Sequence, residues 1–321
     1  MGAIAASVAI TLSLFGLAGL TSAALHRTGH GQKDPAPVSY EEDGTTSAFS
    51  ATASLEGRLE ELTYFQAYEG VTYEKEALVY VPPTYTPGVP ANIVYLTHGW
   101  WGTADGLAEG VAPIVDQLTS AGAIAPTIVV FATYYPDRTF ATEDYEDDYA
   151  LNRFFATTEI DTLIEAVESR YTTYARGDTS DESLRASRRH RAFGGFSMGA
   201  TTTWDVFALR PQYFYGYIPM AGESWIGREE DADSAQIAQL VTAGAERAHY
   251  GPQDIRIFAS VGSLDPALGD MSPQLAQMRA DYPDLMTDDS LQMWIDEGES
   301  HSMASVGNQV AHDLPLLFPP A

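Results

Sequence analysis

The stretch "RHRAFGGFSMGATTTW", residues 189–204, sets a serine between two glycines, directly after a short apolar run. The order predicts a strand, a sharp turn and a helix, with Ser197 at the turn and Gly195 and Gly199 two residues to either side. Such a turn strains the serine backbone, and side chains at the two glycine positions would collide with the neighbouring strand and helix. It also lifts the hydroxyl above a sheet and points a helix N-terminus at it. The bland alternative is a tight strand-to-helix turn that needs small residues for packing alone. A serine hydroxyl is a weak nucleophile until a base takes its proton, so the rest of the chain decides between the two.

Outward from that turn, apolar strands alternate with amphipathic helices. Strands are expected at 58–68 and 76–85, the second stopped by Pro82 and Pro83, then at 92–99, 126–133, 191–195, 215–222, 254–263 and 291–298. Helices are expected at 110–122, 157–171, 198–209, 272–280 and 302–318. This alternation predicts an α/β fold, a mainly parallel sheet covered on both faces, with ligands bound beyond the carboxyl ends of the strands. There is no internal repeat and no module beyond the last helix. The expected organisation is a leader at 1–25, a flexible linker at 26–54 and one catalytic-sized domain at 55–321.

In a fold of this kind the serine's partners follow it as acid and then histidine, each on a loop after a later strand. Downstream histidines are His249, His301 and His312. His301, in "DEGESHSM", lies between the last expected strand and the last helix; His312 falls inside that helix, and His249 precedes the strand that should carry the acid. Asp265, in "IFASVGSLDPALGD", directly follows an apolar strand, where a carboxylate can fix the imidazole tautomer. Asp270 is the rival, or a cap of the next helix. An oxyanion site needs two preorganised donors. The amide of Met198, after the serine, is one, and the loop "YLTHGWWG" offers the amide of Trp100 as the other. Trp101 and Trp225 are candidate substrate-binding residues at the mouth of the site, with packing under the loops as the plainer reading for each.

Composition narrows the chemistry. Of 321 residues, 45% are hydrophobic, sufficient for one large core, and none is cysteine, which removes disulfides, thiolate nucleophiles and zinc–sulfur sites. The formal charge of −27, from 44 acidic against 17 basic residues, disfavours nucleic acid and anionic membranes as partners. No phosphate loop, calcium loop or zinc-type H-E-x-x-H is present, so no metal or organic cofactor is expected. His26 and His30 are four apart in a segment without helical character and make a poor metal pair. The acidic run at 143–148, "EDYEDD", reads as a solvated loop. The apolar run at 3–25, with small residues at Thr21 and Ala23, reads as a secretory signal or an uncleaved anchor.

The succession "VYVPPTY…VYLTHGWWG…APTIVVFAT…RAFGGFSMGATTTW…IFASVGSLDPA…MSPQLAQM…EGESHS…LPLLF" resembles the feruloyl esterase/acetylxylan esterase group, carbohydrate esterase family one, among the esterase D-like α/β-hydrolases. The likeness runs from about residue 57 to residue 318 and is most specific in the "HG…G" loop, the serine turn and the "G-x-x-D-P…PQ" segment. It implies an α/β-hydrolase fold and a secreted serine esterase that cleaves ester decorations from plant polysaccharide. By motif it places the nucleophile on Ser197, the acid on Asp265, the base on His301 and the oxyanion amides on Trp100 and Met198. Ala200 stands where a third glycine is common, and the loop "HGWWG" is bulkier than usual, which implies a differently shaped acyl pocket. An acyltransferase on the same scaffold, and a non-catalytic glycan-binding surface protein, are the alternative readings.

Overall fold

The computed structural model of the chain describes residues 41–42 and 54–320; the apolar run at 3–25, His26, His30 and most of the expected linker lie outside the described residues. Within them, nine strands form one sheet: β1 (Glu41–Glu42), β2 (Arg58–Tyr68), β3 (Val71–Val81), β4 (Asn92–Thr97), β5 (Thr127–Ala132), β6 (Arg191–Phe196), β7 (Gly216–Met220), β8 (Arg256–Gly262) and β9 (Leu291–Asp296). Their spatial order is β1-β9-β8-β7-β6-β4-β5-β3-β2. Only β2–β3 and β3–β5 pair antiparallel. Every residue of β4, β5, β6 and β7 is buried, which is why these strands read as near-continuous apolar runs, with polar residues such as Asn92, Thr97, Thr127 and Arg191 only at their ends, rather than alternating ones.

The helices are α1 (Ala104–Ser120), α2 (Tyr149–Phe154), α3 (Ile160–Glu168), α4 (Asp181–Ala186), α5 (Met198–Leu209), α6 (Ser234–Arg247), α7 (Leu268–Asp281) and α8 (Met303–Leu317). A five-residue π-helical segment, Phe155–Glu159, joins α2 to α3. From β4 the chain crosses through α1 to β5, toward one edge. From β6 it crosses through α5, α6 and α7 to β7, β8 and β9, toward the other. Right-handed crossovers running in opposite directions put α1 and α5 on opposite faces. Accordingly α8 packs on α1, while α5 packs on α2 and α6, and α6 on α7. This is the α/β-hydrolase architecture, and its switch point lies between the adjacent strands β4 and β6.

Several expectations shift, and α2 and α4 join the expected helices. The second strand begins at Val71, because the Glu69–Gly70 pair, both at positive φ, makes a two-residue turn that folds β3 back along the whole of β2. Helix α1 starts at Ala104 rather than 110, capped by the Thr103 hydroxyl, which accepts from the Gly106 amide at 3.0 Å. Helix α6 has no counterpart among the expected helices. Its buried stripe is Ala238, Val241, Thr242, Gly244 and Ala245, too small and mixed to register as an apolar period, although Asp233 and Gln236 form a capping box at its start. Among the described residues no helix is long and apolar enough to cross a membrane.

Candidate active site

Ser197 sits between β6 and α5 at φ 57° and ψ −115°, a conformation that costs a non-glycine residue on the order of 1–3 kcal/mol. The surroundings hold it there. Its amide donates to the Met220 carbonyl at 2.8 Å, and its carbonyl accepts from the Ala200 amide at 2.8 Å. The flanking glycines are required by close approach: a Cβ on Gly195 would lie 2.5 Å from the Gly199 carbonyl oxygen, and one on Gly199 2.2 Å from that of Thr97. Met198 is the first residue of α5, so its amide has no acceptor within the helix.

The loops after β8 and β9 are knitted together beside this turn. Ser263 and Glu299 amides both donate to the Asp296 carbonyl, at 2.9 and 3.2 Å, and the Leu264 amide donates to that of Glu299 at 2.8 Å. A side chain on Gly262 would meet the Glu299 carbonyl at 2.3 Å, so the two loops cross where only glycine fits. Their crossing brings Asp265 to His301. Asp265 is buried; its Oδ1 accepts from the Ala267 amide at 2.9 Å and its Oδ2 lies 2.8 Å from His301 Nδ1. A carboxylate only accepts, so the proton is on Nδ1, and Nε2 presents a lone pair to Ser197 Oγ at 3.0 Å. The Phe196 ring lies against the imidazole with centroids 4.4 Å apart. Asp270 is exposed in the first turn of α7, His312 pairs with Asp313 at 2.8 Å on α8, and His249 follows α6.

The loop after β4 supplies the third wall. His98 is buried, and desolvation pushes its imidazole down to about 4, so it is neutral. Its Nδ1 donates to the Gly99 carbonyl at 2.7 Å and its Nε2 accepts from the Thr133 hydroxyl at 2.8 Å. Gly99 lies so close to the serine that a Cβ there would be 3.1 Å from Ser197 Cβ. Trp100 lines the cleft beside Ser197. Trp101 does not; its indole N–H donates to the Thr142 carbonyl at 2.7 Å and its ring faces the Arg138 guanidinium. A structural anchor is therefore the role its contacts describe, and the expectation of a substrate-facing Trp101 is not carried by its position.

The cleft above Ser197 has a volume of about 460 Å³, and its walls include Trp100, Tyr145, Trp225, Arg228, Glu223 and Asp270. Trp225 lines it. One face of its ring is covered by the Arg228 guanidinium, 4.2 Å from the ring centre, and its indole N–H donates to Glu223 at 2.7 Å. Arg228 also meets Glu146 at 2.6 Å. Tyr145, Arg228 and Glu223 escaped the sequence reading. The first belongs to the acidic run, which is solvated at Glu143, Asp144, Glu146 and Asp147 but not at Asp148. The buried Asp148 accepts from the Tyr135 hydroxyl at 2.6 Å and from the Thr142 hydroxyl at 2.8 Å, and so ties the run down as a wall.

Comparison with known proteins gives the family. The family model named Esterase matches residues 71–305. The curated protein Endo-1,4-beta-xylanase Y of Acetivibrio thermocellus is 29% identical over 260 residues, which make up 79% of this chain and 23% of that protein, so the chain spans under a quarter of its relative's length. A serine-to-alanine mutant of the feruloyl esterase module from Clostridium thermocellum, complexed with sinapinate, superposes with a TM-score of 0.70 at 27% identity, covering 91% of this chain and 97% of that one. A ferulic acid esterase from the anaerobic fungus Anaeromyces mucronatus shares the fold at 18% identity, with a TM-score of 0.63 over 87% of this chain and 97% of its own.

Proposed function

This chain belongs to the Esterase family, and from that premise we propose that it is a serine carboxylic ester hydrolase that removes feruloyl or acetyl groups from decorated plant polysaccharide through an acyl-serine intermediate. The observation that carries the mechanism is the unbroken row from Asp265 Oδ2 to His301 Nδ1 at 2.8 Å and from His301 Nε2 to Ser197 Oγ at 3.0 Å.

In the first half-reaction Ser197 Oγ bonds to the ester carbonyl carbon while its proton passes to His301 Nε2. The carbonyl pair moves onto oxygen, where the amides of Trp100 and Met198 receive it. Asp265 remains ionised and stabilises the imidazolium. The bond to the sugar oxygen then breaks as His301 returns the proton to the departing alcohol. In the second half, water gives a proton to His301 and attacks the acyl carbon; the acid leaves and Ser197 regains its proton. The aromatic walls Trp100, Tyr145 and Trp225 suit a planar acyl group, and the net charge of −27 suits a neutral glycan better than a polyanion. The apolar run at 3–25 supports export to where such a polymer is found.

The test is hydrolysis of p-nitrophenyl acetate, methyl ferulate and feruloylated xylan by the natural protein and by Ser197→Ala. The natural protein should turn over all three and the variant none at a measurable rate. Equal rates for the two proteins, or no ester cleavage by either, would remove the reading.

A further inference from the structure

We propose that Arg138 is a positioning residue for the oxyanion site, clamping the strained turn at 99–102 so that the Trp100 amide stays aimed beside Ser197; this rests on the esterase reading above. The turn is closed by the Gly102 amide donating to the Gly99 carbonyl at 2.9 Å. Its third residue, Trp101, has φ 58°. That is the type II form, whose third position ordinarily takes glycine because a side chain there is strained. A tryptophan stays in this conformation only if its neighbours over-determine it.

Arg138 does so from outside the cleft. It lies in the single helical turn Arg138–Phe140, in the loop after β5. One guanidinium nitrogen donates to the Gly102 carbonyl at 2.7 Å and the other to the Trp101 carbonyl at 3.2 Å, so the fork grips the two carbonyls that follow the strained φ. The same guanidinium stands 5.6 Å from the Trp101 ring and 5.6 Å from the Tyr135 ring. Tyr135 completes the grip. Its oxygen accepts from the Trp101 amide at 3.3 Å while its proton goes to Asp148 at 2.6 Å.

The consequence falls on the neighbouring peptide. Among the described residues every peptide bond is trans, so the Trp100 N–H points opposite to the Gly99 carbonyl that shares its plane. That carbonyl is turned toward His98 Nδ1 and the Gly102 amide. The Trp100 N–H therefore points away from them, on a backbone that already lies against Ser197. Relaxing Trp101 to negative φ undoes the turn and swings this amide off its aim. Arg138 is not among the residues lining the cleft, so its effect is on transition-state stabilisation and not on substrate binding.

The experiment uses the full chain with p-nitrophenyl acetate. Deleting an oxyanion donor costs about 10²–10³ in kcat, and misaiming one should cost less, so Arg138→Ala is expected to lower kcat about tenfold with KM nearly unchanged. Arg138→Lys, which cannot fork across two carbonyls, should fall between. The decisive arm is the double variant Arg138→Ala with Trp101→Gly: glycine holds positive φ unaided, so much of the lost kcat should return. A merely structural Arg138 would give no such rescue. An Arg138→Ala kcat equal to that of the natural protein, a loss confined to KM, or a double variant no faster than Arg138→Ala would overturn the proposal. In each of those cases Ser197 would still label with a fluorophosphonate and the esterase reading would stand; a natural protein that neither labels nor cleaves any ester would remove both.

Discussion

Asp265→Asn tests the row of hydrogen bonds at its most constrained point. The carboxylate uses Oδ1 to accept from the Ala267 amide at 2.9 Å and Oδ2 to accept from His301 Nδ1 at 2.8 Å. A carboxamide has one oxygen. The Ala267 amide can only donate, so the oxygen must stay on its side and the NH₂ must turn toward the imidazole. His301 Nδ1 is then forced to act as acceptor and the ring proton moves to Nε2, where it faces Ser197 Oγ. No lone pair remains to take the serine proton. In a comparable serine enzyme this exchange lowers kcat by ~10⁴, which is about 5 kcal/mol of transition-state stabilisation. The same loss is expected here, with KM and the urea midpoint little changed because the side chain keeps its shape. Initial rates on p-nitrophenyl acetate, corrected by counting active serines with a fluorophosphonate, give the answer. A kcat within about tenfold of the natural protein would show that Asp265 does not set the tautomer, and the acid would have to be sought elsewhere.

Two further outcomes follow from buried groups. Asp205, on α5, is buried, and desolvation raises its pKa from 3.8 to about 7, with the Arg153 guanidinium at 4.0 Å and a Tyr149 hydroxyl bond at 3.1 Å only partly offsetting it. Because the folded-state value is raised, the stability it contributes is complete below pH 3.8 and is lost as pH rises toward 7, a change on the order of 4 kcal/mol. Asp205→Asn should flatten that part of the urea-unfolding profile; an unaltered slope would contradict the assignment. Gly199→Ala would place a methyl group 2.2 Å from the Thr97 carbonyl oxygen, a backbone atom that cannot swing aside, and should destabilise by ~3 kcal/mol or more. Gly269→Ala, with nothing within 4 Å of the added carbon, should not. Equal urea midpoints for the two variants would refute the packing argument.

The legible parts of the sequence were those where one physical requirement dominates a short window. Strands β4 to β8 sit inside a parallel sheet and must be apolar on both faces, so their positions showed directly. The serine turn showed because two glycines are imposed by carbonyls at 2.5 and 2.2 Å. Asp265 and His301 showed because chain order restricts which loops reach the serine. What stayed hidden depends on pairs far apart in the chain. Arg228 and Glu146 meet across 82 residues, and nothing local to either marks the contact. Asp148 looks like the four solvated acids before it until Tyr135 and Thr142 are folded onto it. Likewise two adjacent tryptophans are equivalent on paper; only the positive φ of Trp101 sends one into the cleft wall and the other outward to Thr142.

Where the strain lies connects fold to function. Non-glycine residues at positive φ include Trp101, Ser197 and Ala221, at 58°, 57° and 52°. They follow the carboxyl ends of β4, β6 and β7, three strands adjacent in the sheet. The remaining ones among the described residues (Glu69, Arg176, Asp231 and His249) lie in connections outside this strand-end cluster. At the switch point the connections from β4 and β6 leave in opposite directions, and a gap opens that no regular element fills. Backbone entering such a gap must turn sharply within a residue or two, and sharp turns are where amides point out of secondary structure instead of into it. The two donors an oxyanion needs, the amides of Trp100 and Met198, thus sit next to the strained torsions of Trp101 and Ser197. Relieving the torsions would swing the Trp100 and Met198 amides off their aim, which is why the surrounding clamps from Arg138, Tyr135, Met220 and Ser260 act on the backbone of these three residues and not on the substrate.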